Sequence, residues 1–370
     1  MFDRPDAVIA RLKALLLLVA SIAGLCWGVD ALLYRTGFYY ELAEPDSNTG
    51  AVVNALLLLE REYRPGARNV LVFGDSRVGE GVSPLAVAAH AGGLNVVNVA
   101  VPGSTPRTWF YLLREILRRG YRPHAVVIGT LYAPPPVGAS ADWALDPAHA
   151  APLLGLRDAR AFERSFDSAA MRERARHAVW FPALAMRQDT LAALRAPLER
   201  WHKLRSYRPA LLAAIPAYGG NGGHMPALAF DPQGAVLDWA GADPTQRSKV
   251  EALQREFVST PPAELVGANR AFRAEWFARI AALAAQHDAA LLLFPLPRGP
   301  YTALLPPAAP PDLGDATRAP GLRALPAEFS LALERPELFF DELHLNAVGR
   351  AQLSAALGRE LRTRLAAGAD

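Results

Sequence analysis

The chain is poor in cysteine, with Cys26 as the only one among 370 residues. A single cysteine excludes an intrachain disulfide and a cysteine-rich metal site. No group of His, Asp and Glu residues has metal-ligand spacing, and neither a P-loop nor a dinucleotide-binding fingerprint occurs. The formal net charge is only +3 and the chain has no long Lys/Arg run, so nothing indicates nucleic-acid binding. The sequence therefore predicts no metal, no cofactor and no nucleic-acid partner.

What the chain does contain is typical of a large folded domain. Hydrophobic residues make up 51% of the sequence and charged residues 20%, which excludes a disordered chain. The 31 prolines and 28 glycines indicate long irregular connections. A chain of 370 residues is long enough for one large domain or for a domain with insertions.

An uncharged stretch near the amino terminus, Ala14–Val29, indicates a membrane segment. Its 16 residues fall slightly short of the roughly 20 that a spanning helix needs. Lys13 can snorkel and Asp30 would lie near an interface, so the segment can still span. Positive charge before the span keeps the amino terminus cytoplasmic. We therefore expect residues 1–35 to be a single-pass signal anchor in the cytoplasmic (inner) membrane, with the remainder in the periplasm or outside the cell.

Three other interpretations of this segment compete with a membrane anchor. A cleaved signal peptide needs a small-x-small site, and no convincing one lies between Trp27 and Tyr40. A lipoprotein would use Cys26, but Leu25 is too bulky for the position before a lipidated cysteine. A buried helix of a soluble protein is the remaining alternative.

The region after residue 66 alternates between apolar strands and helices. Asn69–Phe73 is the first predicted strand, Leu94–Ala100 the second and Ala125–Gly129 the third, with a helix at about Arg107–Arg119. Later stretches continue the pattern with a strand at Ala289–Pro295. The alternation predicts an α/β fold with a parallel sheet and right-handed crossovers.

The composition divides the chain into five predicted parts. The alternation is interrupted between the third strand and the strand at Ala289–Pro295 by prolines, Ala/Leu/Arg-rich helical stretches and a glycine-rich loop. This stretch predicts a mainly helical insertion that covers a functional site of the core or carries substrate contacts. The parts are the anchor at 1–35, a membrane-proximal connection and helix at 36–66, the first part of the core at 67–133, the insertion at 134–262 and the second part of the core at 263–370.

Three side chains at opposite ends of the core suggest nucleophilic catalysis. Ser76 follows the first strand directly, and ligands of open α/β sheets bind at that end of the strands. A serine needs a base, which His344 would supply, and Asp341 lies three residues before it to hold the imidazole tautomer. The alternative roles are a helix N-cap for Ser76 and a loop that caps the last helix for Asp341 and His344. A Ser76–His344 separation beyond about 5 Å would count against catalysis.

These blocks, Gly74-Asp75-Ser76 and Asp341-x-x-His344, resemble those of the SGNH (GDSL-like) hydrolase superfamily. The resemblance implies a three-layer flavodoxin-like fold and a Ser76-His344-Asp341 triad. It also implies an oxyanion hole formed by the N–H groups of Ser76 and Gly103, and a turn-organising role for Asp75.

The third block departs from the family pattern Gly-x-Asn-Asp. This chain has Gly129-Thr130-Leu131-Tyr132, so Leu131 takes the place of the donor asparagine. Loss of one oxyanion donor commonly costs about 2.7–4 kcal/mol of transition-state stabilisation. Thr130, Tyr132 or a residue of the insertion would have to substitute, and otherwise the enzyme would be slow or inactive.

Four further residues are candidates for binding an anionic or sugar-rich substrate, because they lie after strand ends or beside the serine: Arg77, Arg107, Tyr132 and Arg298. Ordinary surface salt bridging is the alternative for the three arginines.

The resemblance implies a membrane-anchored serine esterase or O-acyltransferase outside the cytoplasm, acting on O-acetyl groups of a cell-envelope or exported polysaccharide. Its implied partners are the lipid bilayer, the acylated polymer and a membrane acyl-donor protein. One alternative is a weak or inactive SGNH-fold scaffold in a polysaccharide export or acylation complex. Another is a lipid or thioester hydrolase, which predicts an apolar groove beside Ser76 lined by the insertion.

Overall fold

The protein is built around one five-stranded, all-parallel β-sheet. The computed structural model describes residues 5–132, 141–258, 263–305, 310–311, 313 and 321–366. The strands follow the order β2-β1-β3-β4-β5 across the sheet. They are β1 (Asn69–Phe73), β2 (Asn95–Asn98), β3 (Ala125–Thr130), β4 (Ala290–Pro295) and β5 (Leu322–Ala324). The predicted α/β fold with a parallel sheet is therefore confirmed.

Helices make up most of the rest of the described chain. Those before and within the first half of the core are α1 (Pro5–Asp30), α2 (Phe38–Leu42), α3 (Asn48–Glu62), α4 (Ser76–Gly81), α5 (Pro84–His90) and α6 (Pro106–Arg118). The following ones are α7 (Asp146–Ala150), α8 (Ala159–Arg164), α9 (Ala169–Trp180), α10 (Pro182–Ala185), α11 (Arg187–Arg195), α12 (Pro197–His202), α13 (Arg208–Ala217) and α14 (Pro244–Val258). The last two are α15 (Ala263–Gln286) and α16 (Ala347–Ala366).

Hydrophobic side chains cover both faces of the sheet. Strand residues alternate between faces, so Leu71 and Phe73 of β1 pack with buried residues of α3, α6 and α15. Val70 and Val72 point to the other face and pack with buried residues of α5 and α16. All five residues of β1 are buried, as expected for a central strand with helices on both sides.

The described part of the predicted insertion, residues 141–258, contains the eight helices from α7 to α14 and an irregular stretch at 218–243. Both ends of that insertion, 134–140 and 259–262, lie outside the described residues, as do residues 1–4.

Among the described residues, one helix is long and apolar enough to cross a membrane, the stretch Ile9–Arg35. Its apolar side chains are exposed along most of its length. The helix continues from α1 through a π-helical turn at Ala31–Arg35, and Gly37 with φ +83° then separates it from α2. That angle favours glycine, because the Cβ atom of any other residue makes the left-handed conformation unfavourable.

The carboxyl end of this apolar helix is bound to the insertion. Asp30 Oδ1 accepts a hydrogen bond from the Ala183 N–H at 2.9 Å. The hydroxyl of Tyr34 lies 2.7 Å from Thr190 Oγ1. The Tyr39 hydroxyl donates to the Asp189 carboxylate at 2.7 Å. We call this contact between residues 30–44 and 179–208 the anchor junction.

Candidate active site

The turn after β1 places Ser76 at the first position of α4. Gly74 is required there, because a Cβ atom would lie 2.1 Å from Val78 Cγ2. Asp75 is the N-cap of α4, and its carboxylate accepts a hydrogen bond from the Arg77 N–H at 3.0 Å. Such a cap satisfies one of the free N–H groups in the first helical turn. Asp75 thus has the turn-organising contacts that the resemblance implies.

The structure brings Ser76, His344 and Asp341 together. The Ser76 hydroxyl lies 2.9 Å from His344 Nε2. His344 Nδ1 lies 2.9 Å from Asp341 Oδ2 and 3.0 Å from Oδ1, so its N–H donates to that carboxylate and leaves Nε2 as the acceptor. Asp341 Oδ1 also accepts the backbone N–H groups of Leu343 and His344 at 2.9 and 2.7 Å. The fold thus brings a serine and a histidine that are 268 residues apart in the sequence within hydrogen-bonding distance.

The electrostatic environment shifts the pKa values of His344 and Asp341. Burial lowers the pKa of His344, but the hydrogen bond and charge of Asp341, with the carboxylates of Glu80 and Asp75, outweigh burial and raise it. Burial raises the pKa of Asp341, but its hydrogen bonds from the His344 side chain and from two backbone N–H groups lower it overall. The pair therefore favours an ionised carboxylate and a basic imidazole.

Glu80 is a neighbour of the triad that the sequence reasoning missed. Its Oε1 lies 3.9 Å from His344 Nε2, and its Oε2 accepts a hydrogen bond from Asn221 at 2.9 Å. Glu80 follows Ser76 by four residues on α4, so helical spacing offered a signal for it. Asn221 belongs to the glycine-rich loop of the insertion, and nothing local predicted its position.

The loop after β2 presents Gly103 in a left-handed conformation, with φ +65°. Trp143 Nε1 donates to the Gly103 carbonyl at 2.7 Å. Ser104 Oγ donates to the Gly74 carbonyl at 3.2 Å and accepts from Trp109 Nε1 at 2.7 Å, which fixes this loop to the serine turn. Neither the Ser76 N–H nor the Gly103 N–H makes a hydrogen bond to any described residue. The described residues therefore supply no acceptor for either N–H group.

Position 131 of the third block has no side-chain donor, and the buried hydroxyl of Thr130 beside it donates to the Leu131 carbonyl at 3.4 Å. Leu131 is buried, and its carbonyl accepts a hydrogen bond from Arg273. The Tyr132 hydroxyl donates into the sheet, to the carbonyls of Leu325 at 2.7 Å and Leu293 at 3.1 Å. Tyr132 is buried, so its predicted roles as substrate contact or replacement donor do not hold in this structure.

The three candidate arginines have different environments. Arg107 is fully buried and its guanidinium pairs with the buried Asp146 at 2.8 Å, so the predicted substrate contact does not hold. Arg77 lies beside Ser76 and pairs with Asp75 at 2.5 Å. Arg298 pairs with the buried Glu334 at 2.5 Å. For Arg77 and Arg298 a substrate contact stays a prediction.

A mainly apolar cavity of 380 Å³ adjoins the serine. The core contributes Ser76, Glu80 and the strand-end loop after β2 to its lining. Further lining comes from α3 with the turn before it and from α13 of the insertion, including Ala55, Leu58, Leu211 and Ile215. The insertion therefore lines an apolar space beside Ser76.

Within the described residues, no group of three or more His, Cys, Asp and Glu side chains could hold a metal ion. The chemistry that this arrangement allows is proton transfer between a hydroxyl and an imidazole. No protein-family model matches the chain. No curated protein is similar to it in sequence, so the interpretation of the site depends on its geometry.

Proposed function

We propose that the protein is a serine esterase or O-acyltransferase of the SGNH type that works through an acyl-enzyme on Ser76. The observation that carries the proposal is the hydrogen-bonded series of Ser76 Oγ, His344 Nε2 and Nδ1, and Asp341, with both distances at 2.9 Å. Nucleophile, base and orienting carboxylate in that order are the arrangement that activates a hydroxyl for attack on an ester.

Acylation follows from these contacts. His344 Nε2 takes the Ser76 proton while Oγ attacks the ester carbonyl carbon. The tetrahedral oxyanion accepts hydrogen bonds from the N–H groups of Ser76 and Gly103. The C–O bond to the alcohol then breaks, and the imidazolium returns the proton to the leaving oxygen. Asp341 stabilises the imidazolium between these steps.

Deacylation repeats the same proton transfers. His344 removes a proton from water or from a sugar hydroxyl, whose oxygen attacks the acyl carbon. The bond between the acyl carbon and Ser76 Oγ then breaks, and His344 reprotonates Oγ. Attack by water gives hydrolysis, and attack by a sugar hydroxyl gives acyl transfer. The absence of a side-chain donor at Leu131 predicts a slow enzyme, by about 10²–10³-fold in kcat relative to a three-donor site.

The finer parts of the proposal rest on the resemblance and on the architecture. The strand order matches the flavodoxin-like order 2-1-3-4-5, and helices cover both sheet faces as in a three-layer fold. The apolar helix Ile9–Arg35 supports a single-pass anchor. We place the catalytic domain in the periplasm or outside the cell, acting on a cell-envelope or exported polysaccharide, with a membrane protein as acyl donor.

Labelling of the full-length chain in detergent tests the proposal. A serine-reactive fluorophosphonate should label the wild type and turnover of a small aryl acetate should be measurable. Both should be lost in Ser76→Ala and kept in Ser206→Ala, which changes an exposed serine of the insertion. A folded wild type that shows neither labelling nor turnover would overturn the enzyme proposal in favour of the scaffold alternative.

The cavity favours a second candidate function, hydrolysis or transfer of longer acyl groups from a lipid or thioester. Its 380 Å³ is about a dozen times the ~30 Å³ that one water occupies in the liquid, far more than an acetyl group needs. The lining from α3 and α13 is mostly apolar, which suits a hydrocarbon chain.

A series of aryl esters from acetyl to octanoyl separates the two candidates. For the second candidate, kcat/KM should rise with chain length, and Ile215→Trp, which fills the cavity, should lower it for octanoyl but not for acetyl esters. Ala214→Trp, an exposed neighbour on α13, is the matched control. A preference for acetyl that Ile215→Trp leaves unchanged would reject the longer acyl groups while leaving the Ser76 mechanism intact.

A further inference from the structure

The insertion exposes large apolar side chains in one part of its surface. Between residues 180 and 201 these side chains are 39–77% exposed, the highest value being that of Leu198. In the rest of the described chain after residue 43 and outside residues 180–207, large apolar side chains are exposed at four positions, Leu85, Leu156, Leu237 and Val348. We call the following six residues the apolar patch: Trp180, Phe181, Leu191, Leu194, Leu198 and Trp201.

The apolar patch lies beside the end of the apolar helix. Ala183, two residues after Phe181, donates to Asp30 at the last position of α1. Thr190, the residue before Leu191, is bound to Tyr34 at the end of the candidate span. With a rise of 1.5 Å per residue, Leu194 lies only about 6 Å along α11 from Thr190. The anchor junction thus fixes the patch at the level where the span ends.

The spacing within the patch directs its side chains to shared faces of short helices. Leu191 and Leu194 are three residues apart on α11, and Leu198 and Trp201 are three apart on α12. None of the residues of α11 is buried, and the helix contacts the anchor junction through the polar side chains of Asp189 and Thr190. Leu191 and Leu194 of this helix are 48% and 72% exposed, so they are available to contact an apolar surface outside the described chain.

The composition around the patch is that of a membrane interface. Arg187 and Arg195 are exposed at the two ends of α11. The Arg205 guanidinium lies 5.0 Å from the ring centroid of Trp201, and that of Arg35 lies 5.9 Å from the ring centroid of Trp27 in the apolar helix. Tryptophan and arginine together are enriched where a protein meets lipid headgroups.

We infer that the apolar patch is a second membrane contact, inserted into the interface of the leaflet from which the apolar helix emerges. Interfacial helices bury their apolar face about 5–10 Å into the boundary between headgroups and acyl chains, and their arginines contact the headgroups. We expect lipid to cover the patch, because the patch lies next to the end of the apolar helix and is flanked by aromatic and basic residues. The inference requires the apolar helix to cross a membrane and does not depend on the chemistry of Ser76.

Environment-sensitive labels in vesicles test this contact with the full-length chain. In a Cys26→Ala background, Leu194→Cys and Leu198→Cys each carry one NBD fluorophore, and the chain is reconstituted in phosphatidylcholine vesicles with 20% anionic lipid. We expect a shift of the emission to shorter wavelengths and at least a two-fold loss of intensity when lipids with a nitroxide high on the acyl chain replace the unlabelled lipids.

Leu237→Cys is the matched control, because Leu237 is a 65% exposed leucine of the same insertion outside the patch. Its label should stay at the emission of a water-exposed fluorophore and be quenched by less than a fifth. Circular dichroism and thermal unfolding of each labelled chain, compared with the Cys26→Ala parent, establish that the fold is kept. Labels at 194 and 198 that behave like the one at 237 would overturn the inference. A blue shift that persists in detergent and is insensitive to nitroxide lipids would also overturn it, because a second protein copy would then cover the patch.

Discussion

Substitution of Gly103 by alanine tests the proposed oxyanion hole. Gly103 has φ +65°, a conformation that costs an L-residue about 1–2 kcal/mol. A Cβ atom there would also lie 2.9 Å from Leu145 Cδ1. Leu145 is only half-buried, and a methyl at the end of a leucine can move. We therefore expect the loop to fold but to rotate or shift, which moves the Gly103 N–H away from the oxyanion.

The expected size of the effect separates catalysis from stability. Loss of one oxyanion donor costs about 2.7–4 kcal/mol in the transition state, or about 10²–10³ in kcat. Backbone strain alone lowers the unfolding free energy by about 1–2 kcal/mol and leaves kcat of the folded fraction unchanged. Since Leu131 already removes one side-chain donor, the Gly103 N–H should carry a large share of the remaining stabilisation.

Gly93 provides a matched control, with φ +85° and no other atom within 4 Å of a Cβ added to it. Gly93→Ala introduces the same backbone strain without changing the loop at the serine. Aryl-ester kinetics and thermal unfolding of both variants are the assay. We expect a similar loss of melting temperature in both and a 10²–10³-fold loss of kcat in Gly103→Ala alone. A Gly103→Ala enzyme whose kcat stays within three-fold of the Gly93→Ala enzyme would refute the assignment of this N–H.

Three further predictions follow from contacts of buried or paired charges. Asp341→Asn should reverse the imidazole tautomer of His344 and lower kcat by about 10⁴-fold, whereas a loss below ten-fold in ester assays would contradict an orienting role. Glu80→Gln removes a negative charge 3.9 Å from His344 Nε2 and so lowers the pKa of that base. Since His344 must be neutral to act as a base, kcat/KM should fall on acidification with an apparent pKa above 6.5 in the wild type. That fall should occur at lower pH in Glu80→Gln, and an unchanged pH profile would argue against the coupling between Glu80 and His344. Arg107→Met should lower the unfolding free energy by about 3–5 kcal/mol in denaturant titrations, because it leaves the buried Asp146 charge without its partner, and a loss under 1 kcal/mol would contradict that reasoning.

The parts of the site that the sequence revealed are those defined by local chemistry. An apolar run before Ser76 predicts a buried strand, and glycine at 74 predicts a tight turn after it. Asp341 and His344 are three residues apart, so one loop places the carboxylate against the imidazole. The rule that ligands bind at the carboxyl ends of parallel strands applies to Ser76 alone, whereas the convergence of Asp341 and His344 with Ser76 was an expectation from the resemblance to the SGNH superfamily.

The parts that the sequence did not reveal depend on long-range packing. Arg107 and Tyr132 follow strand ends as a substrate contact would, yet both side chains turn into the protein. Asp146, 39 residues after Arg107, provides the compensating charge, and no local pattern connects the two. Strand β5 has only three residues and none of them is buried, so periodicity could not predict it. The anchor junction likewise depends on single polar side chains such as Asp189, whose partner Tyr39 lies 150 residues away.

The anchor junction limits the reach of the candidate catalytic serine. Pro45, which lines the cavity with Ser76, is ten residues beyond Arg35, and ten residues span at most about 35 Å. The hydrogen bonds of Asp30, Tyr34 and Tyr39 hold this connection against the insertion, so it lacks the freedom of movement of a flexible linker. In a membrane-anchored chain the serine would therefore stay at one height above the lipid.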